Sequence, residues 1–244
     1  MNKLVKLIIF FVACLISVPA NALNIGVLTG TGTSGYVDGP NAGHTTLYLD
    51  LLSDELDITY TTMVNVTSLS DISDYDVIIG GCCLEPANSN LDWNTVLLPY
   101  LEAGGGVILE HSDYVDDLAG SGANAIFNQP LSYYPITDIT DSTVAGDETD
   151  EVLFGAGMSF EGYDPSNWTE FLTTDSLVTG LYGEFGDGRI ILDGHGMFFH
   201  TTNLDIPRSE LEWVSNSVPE PSTLLLMGAG LLGLLGSARR KGKL

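Results

Sequence analysis

Basic residues are scarce in this chain. Six of its eight lysines and arginines lie at the two ends, so that only Arg189 and Arg208 remain in residues 23–217. The same stretch carries 31 of the 32 acidic residues, and two positive against 31 negative charges give a formal charge of -29. Nucleic acid is excluded as a partner, because phosphates require a basic surface.

Cysteine is almost absent as well. Of the 3 cysteines, Cys14 lies in a predicted leader segment, and only Cys82 and Cys83 remain in the domain. A four-cysteine zinc site is therefore excluded. In an oxidising compartment the pair can form a vicinal disulfide, pack as two small apolar side chains, or supply a thiolate nucleophile. Two arginines offer little positive charge to lower a thiol pKa, which disfavours the nucleophile.

Recognisable calcium-binding motifs are also missing. The chain has neither an Asp-x-Asp-x-Asp-Gly loop nor a glycine-aspartate nonapeptide repeat. Its acidic composition indicates a solvated, self-repelling surface, with a cation-dependent contact to matrix polymers as the alternative. We expect Thr137–Glu151 to be an exposed insertion loop. Calcium or another divalent cation, bound by Asp138–Glu151, is the one candidate cofactor; the sequence does not identify a metal.

The amino terminus has the pattern of a secretory signal peptide. Lys3 and Lys6 precede the almost wholly apolar Leu7–Val18, and Ala20-Asn21-Ala22 supplies the small residues that signal peptidase accepts. We therefore expect residues 1–22 to be removed during export.

The carboxyl terminus contains a second apolar segment. Thr223–Ala238 is 16 residues long and uncharged, about 24 Å as a helix against a hydrocarbon core of roughly 30 Å. The basic residues Arg239, Arg240 and Lys241 follow it. The positive-inside rule holds such a cluster in the cytoplasm, which places the domain outside the inner membrane.

A short proline motif precedes this segment. It consists of Val218, Pro219, Glu220, Pro221 and Ser222. Together with the apolar segment and the basic tail at 239–243, it resembles the PEP-CTERM sorting signal of Gram-negative bacteria, here over residues 218–244. The resemblance implies an exosortase as partner, transient anchorage in the inner membrane, and release or transfer to the cell surface, commonly in bacteria that make exopolysaccharide.

Strand and helix patterns alternate through residues 23–217, the predicted single domain. The expected order is strand 23–28, helix 45–56, strand 57–63, strand 77–79 followed by two glycines, helix 93–103, and strands ending at Glu110 and Asp193. Glycines follow several of these apolar strands. This order predicts an α/β fold with one doubly wound, mainly parallel sheet, flanked by the signal peptide and by a membrane-spanning sorting helix.

Three segments resemble a known superfold. "SDYDVIIGG", "LLPYLEAGGGVILEHS" and "GDGRIILDGHG" are similar to segments of class I glutamine amidotransferase-like proteins, in particular the ThuA-like branch; the fold implied is of the flavodoxin or amidotransferase type. True amidotransferases have a nucleophilic cysteine on a strand–helix elbow. Here His111-Ser112 follows the "GGGVILE" strand, so the glutaminase triad is absent.

Candidate catalytic residues lie at predicted strand ends. Glu110, His111 and His195 follow parallel strands, with Asp113 and Asp193 close by in sequence. Two imidazoles and two carboxylates can hold a divalent metal or supply a general base. Alternatively, these polar residues only satisfy hydrogen bonds of the loops. Convergence of Glu110, His111 and His195 on one concave pocket would favour the catalytic interpretation.

Two functional hypotheses remain. The first is an exported, noncatalytic protein of the cell surface or extracellular matrix, which associates with exopolysaccharide, for instance in a biofilm. The second is a secreted hydrolase or carbohydrate-active enzyme that uses the histidine and acidic residues at the strand ends. The sequence favours the first, because the nucleophile is missing.

Overall fold

The protein is described by a computed structural model. It describes residues 22–28, 48–53, 55–63, 66–80, 91–110, 118, 120–127, 136–145, 151–152, 158–194 and 204–216. No helix within these ranges is long and apolar enough to cross a membrane. The predicted signal peptide and the predicted span Thr223–Ala238 lie outside the described residues.

Eleven strands are present in the described part of the chain. They are β1 (Leu23–Leu28), β2 (Ile58–Met63), β3 (Val77–Gly80), β4 (Gly106–Glu110), β5 (Asn124–Phe127), β6 (Ile136–Ile139), β7 (Glu151–Val152), β8 (Met158–Glu161), β9 (Thr169–Thr174), β10 (Leu177–Phe185) and β11 (Gly188–Asp193). Nine form one sheet in the order β2-β1-β3-β4-β11-β10-β9-β6-β7, and β5 pairs with β8.

One half of the large sheet is parallel. The strands β2, β1, β3, β4 and β11 pair in parallel throughout. Every residue of β3 and β4 is buried, as expected for strands covered on both faces. These strands were predicted from their apolar runs, and the α/β class is confirmed.

The other half is antiparallel, so the prediction of a mainly parallel sheet is wrong. From β11 onward, β10, β9, β6 and β7 pair antiparallel. Gly186, at φ +64°, turns the chain between β10 and β11. A Cβ there would lie 2.6 Å from the Cα of Glu102, so this tight hairpin requires glycine. The large sheet is therefore mixed.

Helices cover both faces of the sheet. They are α1 (residues 48–53), α2 (Leu98–Glu102), α3 (Ser142–Ala145) and α4 (Asp205–Ser215). A π-helical turn, Trp93–Leu97, leads into α2. The core of one face contains residues of this turn and α2, and the core of the other contains residues of α1, α3 and α4. The sheet is thus enclosed as the middle layer.

The described part of the acid-rich segment is mostly regular structure. Residues 137–145 and 151 contain most of β6, the whole of α3 and the start of β7. Val144 and Ala145 are buried in the core. For residues 137–145 the interpretation as an exposed loop is therefore wrong, because two apolar residues among many acids are enough to pack one helical turn against the sheet.

Candidate functional site

Two acidic side chains lie side by side where neighbouring parallel strands end. Glu110 is the last residue of β4 and Asp193 the last of β11, and the two are register partners. Both follow, at a spacing of two, the isoleucines that pack on the α4 face of the sheet, Ile108 and Ile191. Alternation along a strand therefore directs both carboxyl groups toward α4. Both side chains are buried.

A third acidic residue approaches from the helix above. The buried residues of α4 are Ile206, Pro207, Glu210, Leu211 and Val214. Their spacing is that of the buried face of an amphipathic helix. Glu210 thus occupies a core position of α4. We call Glu110, Asp193 and Glu210 the carboxyl cluster.

Burial shifts the pKa of the Glu210 side chain. Its exposed fraction is 0%, and neither carboxyl oxygen accepts a hydrogen bond from the residues that the structure describes. Burial, followed by the charges of Asp193 and Glu110, raises the pKa of Glu210 well above its ordinary value of 4.5. The cause is that a charged carboxylate loses its hydration there and meets two like charges. Burial beside two other acids therefore favours the protonated, neutral form of Glu210.

The two arginines of the domain form ion pairs and hydrogen bonds with residues outside the carboxyl cluster. Arg208 forms ion pairs with Asp205 and with Glu55, the latter at 2.7 Å. Arg189 donates to Glu184 at 3.2 Å and to the carbonyl oxygen of Trp213 at 3.0 Å. Within the described ranges, no three histidine, cysteine or acidic side chains are arranged to hold a metal ion. The carboxyl cluster can bind a proton at Glu210.

The predicted site residues are only partly described. Glu110 lies at a strand end as predicted, but it is buried beneath α4 rather than facing an open pocket. His111 and His195 lie outside the described residues, as do Cys82 and Cys83. So do the sorting motif (Val218, Pro219, Glu220, Pro221 and Ser222) and the basic residues Arg239, Arg240 and Lys241.

Glu210 was missed by the sequence analysis. The signal that could have identified it is its spacing, four residues after Ile206 and four before Val214, which places an acid in the apolar face of the last helix. An acid at such a position is rarely buried unless paired. Helical periodicity in 205–215 would therefore have directed attention to Glu210.

An open groove lies at the opposite edge of the sheet, where the parallel strands begin. Its volume is about 470 Å³, and its lining includes Leu23, Leu69, Tyr75, Asp76, Tyr100 and Ser215. We call this edge the amino edge, and the edge that carries Glu110 and Asp193 the carboxyl edge.

At the amino edge, hydrogen bonds join β1 and α2 to the segment that precedes β3. The backbone N–H of Asn24 donates to Asp76 at 2.8 Å, and its side chain donates to the carbonyl oxygen of Asp74. The hydroxyl of Tyr100 donates to the carbonyl oxygen of Tyr75 at 3.0 Å. Burial, followed by the charge of Asp76, raises the pKa of Tyr100 above its ordinary value. The phenol thus remains a neutral donor.

The sorting signal is confirmed by comparison with known families. Residues 217–241 match the PEP-CTERM protein-sorting motif. The chain is thus an exosortase-targeted exported protein with a membrane-anchored sorting signal. Among curated proteins, none matches this chain in sequence.

Solved structures resemble the domain in fold. A protein described as a GMP synthase component from Thermoplasma acidophilum has a TM-score of 0.57 at 12% identity, over 80% of this chain and 95% of that one. A protein described as ThuA-like from Bacteroides uniformis has 0.56 at 12%, over 78% and 90%. A cytoplasmic protein from Salmonella typhimurium, STM3548, has 0.54 at 12%, over 79% and 98%. The resemblance to the amidotransferase-like superfold is confirmed, for the fold alone.

Proposed function

We propose that the mature chain is a noncatalytic, strongly acidic protein of the cell surface or extracellular matrix of a Gram-negative bacterium, where it associates with exopolysaccharide. Signal peptidase removes residues 1–22, exosortase removes the sorting signal, and residues 23–217 form the delivered domain. The observation that carries the proposal is the sorting motif at 217–241, which directly follows the last helix of an α/β domain.

The burial of the carboxyl cluster supports a noncatalytic role. A general acid or base must come within hydrogen-bond distance of the group that it protonates or deprotonates. Glu110 is 0% exposed and Asp193 is 1% exposed, and α4 packs across the sheet face to which they point. A polymer cannot reach either carboxyl group in this arrangement.

The charge of the domain indicates how it would meet a polymer. A formal charge of -29 opposes direct binding of an anionic polysaccharide. The polymer is therefore neutral, or the contact depends on divalent cations that bridge two acidic surfaces. Both cases suit a protein that is delivered into a hydrated matrix.

Co-sedimentation with the polymer tests the proposal. The mature domain is mixed with exopolysaccharide from the producing strain, in calcium chloride or in sodium chloride of equal ionic strength. We expect the domain to pellet with a neutral polymer in both salts. With an anionic polymer, we expect it to pellet only in calcium chloride. An unrelated domain of similar charge serves as the control. Absence of binding in both salts, or equal pelleting of the control, would overturn the matrix role.

A second candidate function is a secreted hydrolase or carbohydrate-active enzyme. It is favoured by the register pairing of Glu110 with Asp193 at the carboxyl ends of two parallel strands, where α/β sheets commonly place ligand sites. The test is turnover of glycoside and ester substrates by the mature domain and by its Glu110→Gln variant, with Glu102→Gln, an exposed acid, as the matched control. Turnover lost only in a folded Glu110→Gln variant would establish the enzyme.

A further inference from the structure

Both ends of the domain lie at the amino edge. Leu23, the first residue of β1, and Ser215, the last residue of α4, line the same groove. The predicted signal peptide ends immediately before Leu23, and the sorting motif begins two residues after Ser215. Both export segments therefore join the domain at one groove.

The topology explains why the two ends meet there. β1 begins at the amino edge because it is parallel to β3 and β4. α4 follows β11 and runs back across the sheet, which brings its last turn to the strand beginnings. Two contacts fix this direction: Arg189, at the start of β11, donates to Trp213, and a Cβ on Gly106, at the start of β4, would lie 2.6 Å from the carbonyl oxygen of Val214.

The tether to the predicted membrane segment is short. Only seven residues, 216–222, separate α4 from Thr223, and they reach at most about 25 Å when fully extended. A domain of this size has a radius of roughly 20 Å. To turn the carboxyl edge toward the membrane, the tether would have to pass along the side of the domain, a path of about 40 Å or more. It is too short for that.

We propose that, while the chain is anchored, the amino edge with its groove faces the lipid surface and the carboxyl edge faces away from it. The inference rests on the proposed export and anchorage. The lining of the groove suits this position, because Asp76 is its one carboxylate in a domain with 31 acidic residues. The groove itself therefore presents little negative charge to an anionic lipid surface.

Energy transfer to the membrane tests this orientation. The chain Leu23–Leu244, the form expected after removal of the signal peptide and with it Cys14, carries alanine in place of Cys82 and Cys83. It is reconstituted into vesicles of phosphatidylethanolamine and phosphatidylglycerol that contain an acceptor dye on the lipid headgroup. A donor dye is attached to Ser73→Cys, exposed beside the groove, or to Thr62→Cys, exposed near the carboxyl end of β2. Melting temperatures verify that each labelled variant is folded.

We expect clearly stronger transfer from position 73, because a six-residue strand separates the two edges by about 20 Å. A Gly/Ser insertion of about 20 residues after Ser217 should abolish the difference, since the domain can then rotate. Equal transfer from both positions without the insertion, or stronger transfer from position 62, would overturn the orientation. A chain that does not remain with the vesicles would instead contradict the anchorage on which the inference rests.

Discussion

The two edges of the parallel half of the sheet differ in the environment of their polar groups. At the amino edge, polar groups are hydrogen-bonded between neighbouring segments, as Asn24 of β1 is with Asp76 and Tyr100 of α2 is with Tyr75, and the groove beside them is open. At the carboxyl edge, Glu110, Asp193 and Glu210 are buried together under a helix. The first edge carries Leu23 and Ser215, the two ends of the described domain, and the second carries an acid with a raised pKa.

This difference shows that acids at the strand ends, where α/β folds place ligand sites, need not be accessible to a ligand. The burial of these acids costs stability, because a buried carboxyl group loses its hydration. The amino edge has no such cost, since its donors and acceptors are paired. Substitutions at the two edges should therefore change stability in opposite directions.

The largest expected effect is at Glu210. We expect Glu210→Leu to raise the free energy of unfolding by about 1–3 kcal/mol, because a buried polar group without a hydrogen bond costs about that much. The measurement is urea denaturation, with Glu212→Leu, an exposed acid on the same helix, expected to change stability by less than about 0.5 kcal/mol. A destabilised Glu210→Leu variant would mean that the acid is needed for packing.

The pH dependence of stability should also report the titration of Glu210. Because the pKa of Glu210 is raised in the folded protein, the folded state retains a proton that the unfolded chain releases. This stabilisation is complete below pH 4.5, the ordinary value, and is lost as the pH rises toward the raised folded value. We expect the wild type to lose stability relative to Glu210→Gln as the pH rises above 4.5. Parallel curves for the two proteins would contradict the raised pKa.

Three other acids titrate in a separate, lower pH range. The pKa values of Asp71, Asp92 and Asp164 are lowered, in each case chiefly by hydrogen bonds from neighbouring threonine or serine residues. Their contribution is present above the ordinary value of 3.8 and is lost as the pH falls through the lowered folded values. The loss above pH 5 can therefore be assigned to the carboxyl cluster without interference from these three.

A smaller effect is expected at the amino edge. Tyr100→Phe removes the hydrogen bond to the carbonyl oxygen of Tyr75 and keeps the ring that packs over Gly105. We expect a loss of about 1 kcal/mol, typical of one hydrogen bond, with no change in the pH profile. Urea denaturation at two pH values measures both. An unchanged stability would show that water replaces the phenol without cost.

The parallel half of the fold was predictable because its strands are buried on both faces. The runs around Ile78 and Ile108 are apolar throughout, and such runs identify central strands. In the antiparallel half, β9 and β10 mix threonine, glutamate and glycine with apolar residues. Their partners are fixed by tertiary packing and a hairpin at Gly186, which periodicity does not reveal.

The candidate site was predictable in its position but not in its environment. Glu110 was correctly placed at a strand end, because a glycine stop and an apolar run define β4. Its burial depends on α4, which begins about 95 residues later and brings Glu210 to the same place. Long-range packing of this kind leaves no local pattern around Glu110, so the sequence left open whether Glu110 lines a pocket or is covered.

The most direct test of the account is the intact mass of the exported protein in a host with exosortase. We expect a surface or extracellular species that lacks residues 1–22 and the terminal "ARRKGKL". We expect a Pro219→Ala, Pro221→Ala variant to remain in the membrane with its complete carboxyl terminus. Surface material that still carries its complete carboxyl terminus, or the same mass in a strain without exosortase, would contradict it.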